Sequence, residues 1–265
     1  MKNILETQKL NLGYSDTEIL NNIDLEVKSG SVTTIIGVNG SGKSTLIKAL
    51  SRTLTPKSGS VILDGKNIRK MKNKDIAKIL SILPQIHSAP EDFTVYDLVS
   101  YGRHPYLSFS QRLNDDDKEI INWALESSKM KSLQTRYIST LSGGERQRAW
   151  FAMCLAQQPD VLLLDEPTTF LDISHQFEVL ELVKELNEKH GITIVMVLHD
   201  INQAVRYSKE IIVIKNGDIY QRGNPKKIIT LELLKDVFGI GGRIVSDENY
   251  DYSVFIPEYT FKKGL

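Results

Sequence analysis

The sequence predicts an α/β fold in which a parallel sheet carries helices on its faces. An antiparallel β subdomain is expected at the N-terminus and an α-helical subdomain as an insertion. Short apolar runs bounded by Gly, Asn and Pro alternate with longer charged helical stretches, which is typical of a parallel sheet covered by helices. The N-terminal part shows near-alternation of apolar and polar residues, and the middle of the chain loses its strand signals. The 265 residues suffice for one large domain with a smaller inserted lobe.

Five buried runs are predicted to form the parallel sheet: Thr33–Ile36, Ile79–Leu83, Val161–Leu164, Ile192–Leu198 and Ile211–Lys215. The segments around Ile4–Leu12 and Ile23–Val27 nearly alternate and predict the antiparallel sheet. Asp64-Gly65 and Asn216-Gly217 lie between β-like runs and predict tight hairpins.

Helical signals dominate from about Ser88 to Gln158. Asn114 precedes three aspartates, which predicts an N-cap followed by acids in the first helical turn. Apolar residues then recur at helical spacing through Leu125. This stretch is therefore expected to form the inserted helical subdomain.

Composition excludes several classes of protein. Lys plus Arg and Asp plus Glu both number 33, and a net charge of zero argues against non-specific nucleic-acid binding. The single cysteine, Cys154, cannot form an internal disulfide and lies on an apolar helical face, so we expect it to be buried. Acidic and basic residues interrupt the N-terminal region before any signal-like apolar run, and no run is long enough to span a bilayer. Any membrane role is expected to come through a partner.

A phosphate-binding loop is predicted at Gly37-Val38-Asn39-Gly40-Ser41-Gly42-Lys43-Ser44-Thr45, because it follows a predicted strand and precedes the helical stretch Thr45–Leu50. Glycines let backbone N–H groups approach phosphates, and the helix N-terminus adds positive partial charge. Lys43 is the expected ligand of the β- and γ-phosphates, and the Ser44 hydroxyl that of Mg²⁺.

Polar residues end three of the predicted strands. Asp165 and Glu166 follow Val161–Leu164, where Asp165 suits contact with Mg²⁺ and Glu166 suits orienting an attacking water. His199 and Gln85 end two further segments. Because ligand sites collect at the carboxyl ends of parallel strands, these residues are expected to converge on one phosphate site, with His199 sensing the γ-phosphate.

A second anion site is predicted at Ser142-Gly143-Gly144, which opens a helix running from about Glu145 to Gln157. The first N–H groups of that helix and its dipole can bind an anion. A capped helix start explains Ser142, but it does not explain the pair of glycines.

These motifs together resemble the nucleotide-binding subunit of ATP-binding cassette (ABC) transporters, and the resemblance covers nearly the whole chain. It implies a RecA-like P-loop ATPase core and two bound groups, ATP and Mg²⁺. It further implies adenine stacking on Tyr14, a signature motif at Leu141–Gln147, a D-loop that includes Asp172, and Gln85 as a Q-loop residue in reach of Mg²⁺. The signature would bind the γ-phosphate of ATP held by a second copy, so that Mg-ATP closes a two-fold homodimer and hydrolysis opens it. Val38 and Glu145 depart from frequent proline and glutamine, and neither departure removes a phosphate donor.

A narrower resemblance, to importer ATPases for ferric siderophores, haem and cobalamin, lies in four stretches: Val95–Val99, Tyr101–Tyr106, Arg148–Trp150 and Phe170–Gln176. It implies a subunit at the cytoplasmic face of the cell membrane, working with an integral-membrane permease and a substrate-binding protein. An exporter subunit and a soluble ABC ATPase acting on DNA or ribosomes stay open as alternatives, although the chain has neither a coiled-coil insertion nor a second cassette.

The resemblance also suggests a division of the chain. Residues of about 1–87 and 159–240 would form the nucleotide-binding core with its antiparallel subdomain, about 88–158 the helical subdomain, and about 241–265 a short β appendage. The histidines His87, His104, His175 and His190 do not have metal-ligand spacing. The Lys-rich stretch Lys66–Lys78 is expected to be a solvated helix face.

Overall fold

The computed structural model describes residues 2–86, 88–107, 112–246 and 251–261. Its strands are β1 (Asn3–Tyr14), β2 (Thr17–Lys28), β3 (Val32–Ile36), β4 (Ser58–Leu63), β5 (Lys66–Asn67), β6 (Leu80–Leu83), β7 (Val161–Asp165), β8 (Thr193–Val197), β9 (Glu210–Lys215), β10 (Asp218–Gly223), β11 (Ile240–Ser246) and β12 (Ser253–Thr260). Its α-helices are α1 (Lys43–Leu50), α2 (Asn73–Ile79), α3 (Val95–Ser100), α4 (Asp115–Ser127), α5 (Gly143–Ala156), α6 (Ile173–His190), α7 (Ile201–Tyr207), α8 (Pro225–Ile228) and α9 (Leu231–Leu233). Short 3₁₀ turns cover Ile68–Lys70, Tyr101–Tyr106, Lys131–Leu133 and Ile138–Thr140, and a π-helical turn covers Leu234–Phe238.

The described residues of Met1–Arg69 and Ile194–Leu265 form one compact unit. It contains an antiparallel sheet in the order β2-β1-β4-β5. In its other sheet, β3 lies parallel to both β8 and β9, and β10 extends this sheet antiparallel to β9. Every residue of β3 and β8 is buried, because strands covered on both faces bury both sets of side chains. Helix α1 packs on β1 and β2.

The described residues of Lys70–Thr193 form the second unit. Strands β6 and β7 pair in parallel with Leu83 opposite Leu164, which places the residues that follow these two strands at the same edge. Helix α5 packs against α3, α4 and β6. Between residues 88 and 158, the described residues contain helices and turns, with a single isolated bridge between Thr94 and Tyr137.

The predicted fold class is confirmed, and most local signals were accurate. Both Asp64-Gly65 and Asn216-Gly217 adopt positive φ at each residue and close hairpins. Asn114 caps α4 and exchanges hydrogen bonds with Asp117 in a capping box. Cys154 is buried, and desolvation raises the pKa of its thiol to about 11. The predicted domain boundaries stay a prediction, and the boundary residue His87 lies outside the described residues.

Several predicted boundaries were wrong. Ile79 belongs to α2 and not to a strand, and the Lys-rich stretch forms β5, a 3₁₀ turn and α2 in succession. Helices α1 and α5 both begin two residues before their predicted starts, at Lys43 and Gly143. Helix α5 also ends one residue early. These shifts place both glycine motifs directly at helix starts.

The predicted β appendage is a hairpin of β11 and β12. Tyr252 lies outside the strand, Val254 and Ile256 face solvent, and Phe255 is the buried residue. The backbone N–H and carbonyl of Phe255 both bond to the Asn202 side-chain amide on α7, which fixes the face that turns inward. Among the described residues, no helix is both long and apolar enough to cross a membrane.

Candidate active site

The turn between β3 and α1 has a backbone shape that depends on glycine. Gly42, immediately before α1, has a φ of +104°, a conformation that L side chains rarely adopt. A Cβ at this position would also lie 2.6 Å from the Leu20 side chain. No side chain caps α1, so the N–H groups of its first turn have no side-chain acceptor from this cap. An uncapped helix start behind a glycine turn is suited to binding an anion.

Lys43 and Ser41 give this turn its polar groups. The Lys43 ammonium is buried and donates to the carbonyl oxygens of Gly37 (2.9 Å) and Val38 (3.0 Å). The Ser41 hydroxyl is buried and has no hydrogen-bond partner among the described residues. A buried polar atom without a partner is costly, and a phosphate oxygen would relieve that cost. The turn therefore fits the phosphates of a nucleotide.

The remaining loop residues differ in accessibility. Asn39 and Gly40 are exposed at the tip of the turn, whereas Ser44 is half-buried and Thr45 is buried in the first turn of α1. A hydroxyl at Ser44 is an oxygen donor of the type that Mg²⁺ accepts.

Tyr14 and His199 belong to the same unit as this turn. Tyr14 ends β1 opposite Thr17, and 45% of it is exposed, so its ring is accessible for stacking. His199 is exposed and comes two residues after β8. The next residue, Asp200, caps α7 through the backbone N–H of Gln203.

In the second unit, Gln85 and Glu166 are in direct contact. Gln85 Nε2 donates to Glu166 Oε2 at 2.5 Å, and the Thr169 hydroxyl donates to the same oxygen at 3.1 Å. The parallel pairing of β6 and β7 brings these residues together, as each is the second residue after the Leu83–Leu164 pair. Two donors on one oxygen fix the orientation of the Glu166 carboxylate.

Asp165 is the last residue of β7 and is 5% exposed. Glu166 follows with a φ of +54°, which is uncommon for a residue other than glycine. Strained backbone of this kind clusters at functional sites, where it aims a side chain. Asp165 and Gln85 supply oxygen atoms of the type that Mg²⁺ prefers, so the donor set fits this ion.

The signature turn, Leu141–Gln147, begins α5 with a capping box. The Ser142 hydroxyl accepts from the backbone N–H of Glu145 (3.3 Å), and Glu145 Oε2 accepts from the N–H of Ser142 (2.9 Å). These hydrogen bonds hold the pKa of Glu145 below its usual value. The N–H groups of Gly143 and Gly144 come too early in the helix to have an intrahelical acceptor. They are the donors that the turn can offer to an anion.

Asp172 caps α6. Its Oδ1 accepts from the backbone N–H of His175 (3.0 Å), the Ser174 hydroxyl (2.9 Å) and the His175 ring Nδ1 (2.8 Å). These bonds, the backbone one foremost, lower the pKa of Asp172 to about 2. The residue is exposed and ionised, and its oxygen is already engaged inside its own chain.

The structure thus groups the sequence-predicted residues in two sets. The first unit holds Tyr14, the loop Gly37–Thr45 and His199, whereas the second holds Gln85, Asp165, Glu166, Ser142, Gly143, Gly144 and Asp172. Sequence reasoning missed the capping role of Glu145, although Ser-x-x-Glu is a known local signal for it. It also missed Thr169 and His175, which act through contacts that no short motif encodes. Among the described residues, no cluster of three His, Cys, Asp or Glu side chains could hold a metal ion.

Comparison with known proteins identifies the family. The model of the ABC transporter family matches residues 20–169, which include the loop, the signature turn, Asp165 and Glu166. The iron(3+)-hydroxamate import ATP-binding protein of Bacillus subtilis strain 168 is 49% identical over 92% of this chain and 91% of that protein. The ferric enterobactin transport ATP-binding protein of Escherichia coli strain K12 is 44% identical over 96% of this chain and 93% of that protein.

Among solved structures, an inward-facing metal-chelate-type ABC transporter superposes with a TM-score of 0.84 at 25% identity, covering 97% of this chain and 98% of the compared one. The family match, the coverage of the relatives and the fold agree. The chain therefore belongs to the ABC transporter family and is one of its ATP-binding, ATP-hydrolysing subunits.

Proposed function

We propose that this chain powers an ABC importer, coupling Mg-ATP-driven dimer closure and ATP hydrolysis to the uptake of ferric siderophores through a separate integral-membrane permease. The observation that carries the catalytic part is the contact between Gln85 and Glu166, which links the candidate base to a second strand end. The substrate class rests on the two relatives, both named for ferric-siderophore transport and both matched over more than nine-tenths of their length.

In this proposal, the loop Gly37–Thr45 binds the phosphates of ATP and Tyr14 stacks on the adenine. Lys43 exchanges its two loop carbonyls for β- and γ-phosphate oxygens, which are stronger acceptors because they are charged. The Ser41 hydroxyl gains the acceptor or donor that it lacks within the described chain.

Ser44, Asp165 and Gln85 would hold Mg²⁺. When bound, the ion neutralises charge that develops on the phosphate oxygens during phosphoryl transfer. Its donor set would be a hydroxyl, a carboxylate and an amide oxygen, completed by ATP and water, which is usual for this ion.

Glu166 acts as the general base that orients the attacking water. Thr169 and Gln85 fix its carboxylate at hydrogen-bonding distance, so the base does not have to be ordered when ATP arrives. His199 contacts the γ-phosphate in this proposal. Its position close after β8 suits this role, because ligand sites in α/β proteins collect beyond the carboxyl ends of strands.

A second copy of the chain completes the site. The Gly143 and Gly144 N–H groups have no acceptor within their own helix, which supports their use on the γ-phosphate held by the other copy. Large apolar side chains close to Asp172 are unusually exposed: Phe170 by 91% and Ile173 by 74%. Exposed apolar groups of this size favour a protein interface. The contact would be isologous, with each copy contributing one signature turn.

The permease is the second partner, and a substrate-binding protein is reached through it. Gln85 is followed by Ile86, which is 83% exposed and available to a partner that senses the Gln85–Glu166 contact. The chain would therefore work as a peripheral subunit at the cytoplasmic face of the cell membrane. Other partners and functions have less support. The net charge of zero gives no support to a nucleic-acid partner. Haem and cobalamin importers remain the alternative, and a non-transport ABC ATPase is a more distant one.

The dimer is tested with Glu166→Gln, which keeps the size of the side chain and removes the base. With Mg-ATP, we expect this variant to elute as a dimer in gel filtration, since it can bind ATP and cannot hydrolyse it. Glu119→Gln, an exposed change on α4, serves as the matched control and should hydrolyse ATP as the unmodified chain does. A Glu166→Gln chain that stays monomeric and hydrolyses ATP normally would refute the role of Glu166.

The substrate class is tested by uptake of radiolabelled ferric siderophores in cells with and without this chain. Loss of uptake for hydroxamates, catecholates or both would identify the substrates that the subunit serves. Unchanged uptake of every siderophore, with redundant ATPases deleted, would contradict the proposal and favour haem or cobalamin, which the same cells can then be tested for.

A further inference from the structure

His175 lies directly against the signature turn. A Cβ built on Gly144 would lie 2.2 Å from Cδ2, 2.7 Å from Cγ and 2.9 Å from Nε2 of the His175 ring. Non-bonded contacts of a Cβ are essentially never this short, so only glycine leaves room for the ring in this position. Gly144 has no positive φ, and therefore this contact, and not backbone conformation, is what requires glycine there.

The His175 ring is also held from its other side. Its Nδ1 lies 2.8 Å from Asp172 Oδ1, and the backbone N–H of His175 bonds to the same oxygen. Asp172, with a pKa of about 2, is an anion at any physiological pH, so Nδ1 carries a proton and donates it. The side chain is 31% exposed, so the ring is not simply part of the apolar core. It joins Gly144 to Asp172.

Two further contacts run between the same elements. Gln147 Nε2 donates to the Pro167 carbonyl at 3.0 Å, and Arg148 NH1 donates to Glu178 Oε2 at 2.5 Å. Both bonds start from α5 and end within Pro167–Glu178. Of the three ties, the one through His175 reaches the residue whose N–H is offered to the anion.

We propose that His175 is a positioning residue that fixes the N–H groups of the signature turn relative to Asp172, so that both meet the nucleotide and loop of the second copy together. The inference rests on the proposed ATP-bound dimer. Hydrogen bonds weaken steeply with misalignment, and a turn that shifts independently of Asp172 would close the dimer poorly. Binding of ATP to a single copy does not need this alignment, because the phosphate loop is a separate part of the chain.

The test separates the ring from its hydrogen bond, in the full chain carrying Glu166→Gln. His175→Phe keeps an aromatic ring and loses the Nδ1 donor, whereas His175→Asn keeps a donor near that position and loses the ring. We measure the Mg-ATP concentration that gives half-maximal dimer by light scattering. The ATP affinity of the monomer is measured separately with a fluorescent nucleotide.

For His175→Phe, we expect about a tenfold higher Mg-ATP concentration for dimer formation, the effect of losing one hydrogen bond to a charged acceptor. His175→Asn should lie between this variant and the parent, because it restores the donor. The monomer's ATP affinity should change less than about twofold in both, since one-copy binding keeps every contact. A merely structural role would instead raise the Mg-ATP concentration for dimer formation and weaken the monomer's ATP affinity together, in parallel with a lower melting temperature, and this outcome would overturn the proposal.

Two other outcomes are decisive. If the Glu166→Gln chain dimerises and the same chain with His175→Phe dimerises equally well, this inference alone is overturned. A parent that stays monomeric with Mg-ATP overturns the proposed dimer, and this inference with it. A double variant checks the contact itself. Adding His175→Ala to a chain that carries Gly144→Ala should restore most of the thermal stability that Gly144→Ala removes. No restoration would show that the ring does not abut Gly144 in solution.

Discussion

The phosphate loop and the signature turn are both glycine-containing helix starts proposed to bind phosphate, yet glycine serves different purposes in them. In the loop, Gly42 takes a φ of +104° that other residues rarely adopt. In the signature turn, Gly144 is helical, and glycine is required because the His175 ring occupies the place of a side chain. One glycine shapes the backbone, and the other permits a close approach.

The two helix starts also differ in how their own polar groups are satisfied. Helix α1 has no side-chain cap, and it is accompanied by a buried ammonium and by a buried hydroxyl without a partner among the described residues. Helix α5 has a complete capping box, leaving the two glycine N–H groups. Phosphate oxygens would therefore satisfy more polar groups at the start of α1. The start of α5 is already stabilised by its own capping box without a bound anion. We infer that nucleotide binds first to the loop and that the signature turn acts when the dimer closes.

The largest effect is expected from Lys43→Ala. It removes the buried cation that would contact two phosphate groups, and ATP affinity should fall on the order of 100-fold or more, since hydrogen bonds to charged groups contribute about 1.5–3 kcal/mol each. Titration calorimetry measures this change. Lys48→Ala, at an exposed position of the same helix, is the matched control and should bind as the unmodified chain does. Equal ATP affinity in the Lys43 and Lys48 variants would refute the role of Lys43 in binding phosphate.

A smaller effect, on folding, separates the two glycines of the signature turn. Gly144→Ala places a methyl group 2.2 Å from the His175 ring and should lower the free energy of unfolding by about 1–3 kcal/mol. At Gly143 the nearest atom to a new Cβ is 3.9 Å away, so Gly143→Ala should be neutral or stabilising by up to about 1 kcal/mol. Urea unfolding at neutral pH compares the pair. Equal stabilities for the two variants would mean that the His175 ring moves aside without lowering the free energy of unfolding.

The parts of the molecule that the sequence predicted correctly depend on neighbouring residues. The buried β3 followed by Gly37 and Lys43 is a continuous segment, and so is the Asn114 cap with its aspartates. Their physical requirements, burial of apolar residues and capping of N–H groups, are met within a few residues of the chain. The proximity of Gln85 and Glu166 could also be predicted, because parallel strands align their carboxyl ends.

Two of the parts that were missed depend on packing between distant residues. His175 is 31 positions from Gly144, and nothing near either residue indicates that the ring replaces a side chain. The inward face of β12 was likewise decided by Asn202 on α7, which bonds to the backbone of Phe255. Glu145 is different, because its capping role was readable from Ser142 three residues earlier, yet it was interpreted only as a departure from a frequent glutamine.

The smallest expected effect concerns that same Glu145 and depends on pH. Its pKa is lowered in the folded chain, chiefly by the backbone N–H of Ser142, so its ionised form stabilises the fold above its ordinary pKa of 4.5. This stabilisation should be lost as the pH falls through the lower, folded-state pKa, because protonation then removes the charge that Ser142 favours. Glu145→Gln keeps an acceptor oxygen for the cap and has no such titration.

At pH 7, Glu145→Gln should therefore be less stable than the unmodified chain by less than about 1 kcal/mol, whereas Glu145→Ala, which loses this acceptor, should cost about 1 kcal/mol. Urea unfolding at pH 7 and again below pH 4 measures how the difference between the Glu and Gln chains closes. A difference that stays constant over this range would show that Glu145 is not held as an anion by the cap. The charge of Glu145 would then add nothing to the cap, and the contrast with the uncapped α1 would rest on Ser142 alone.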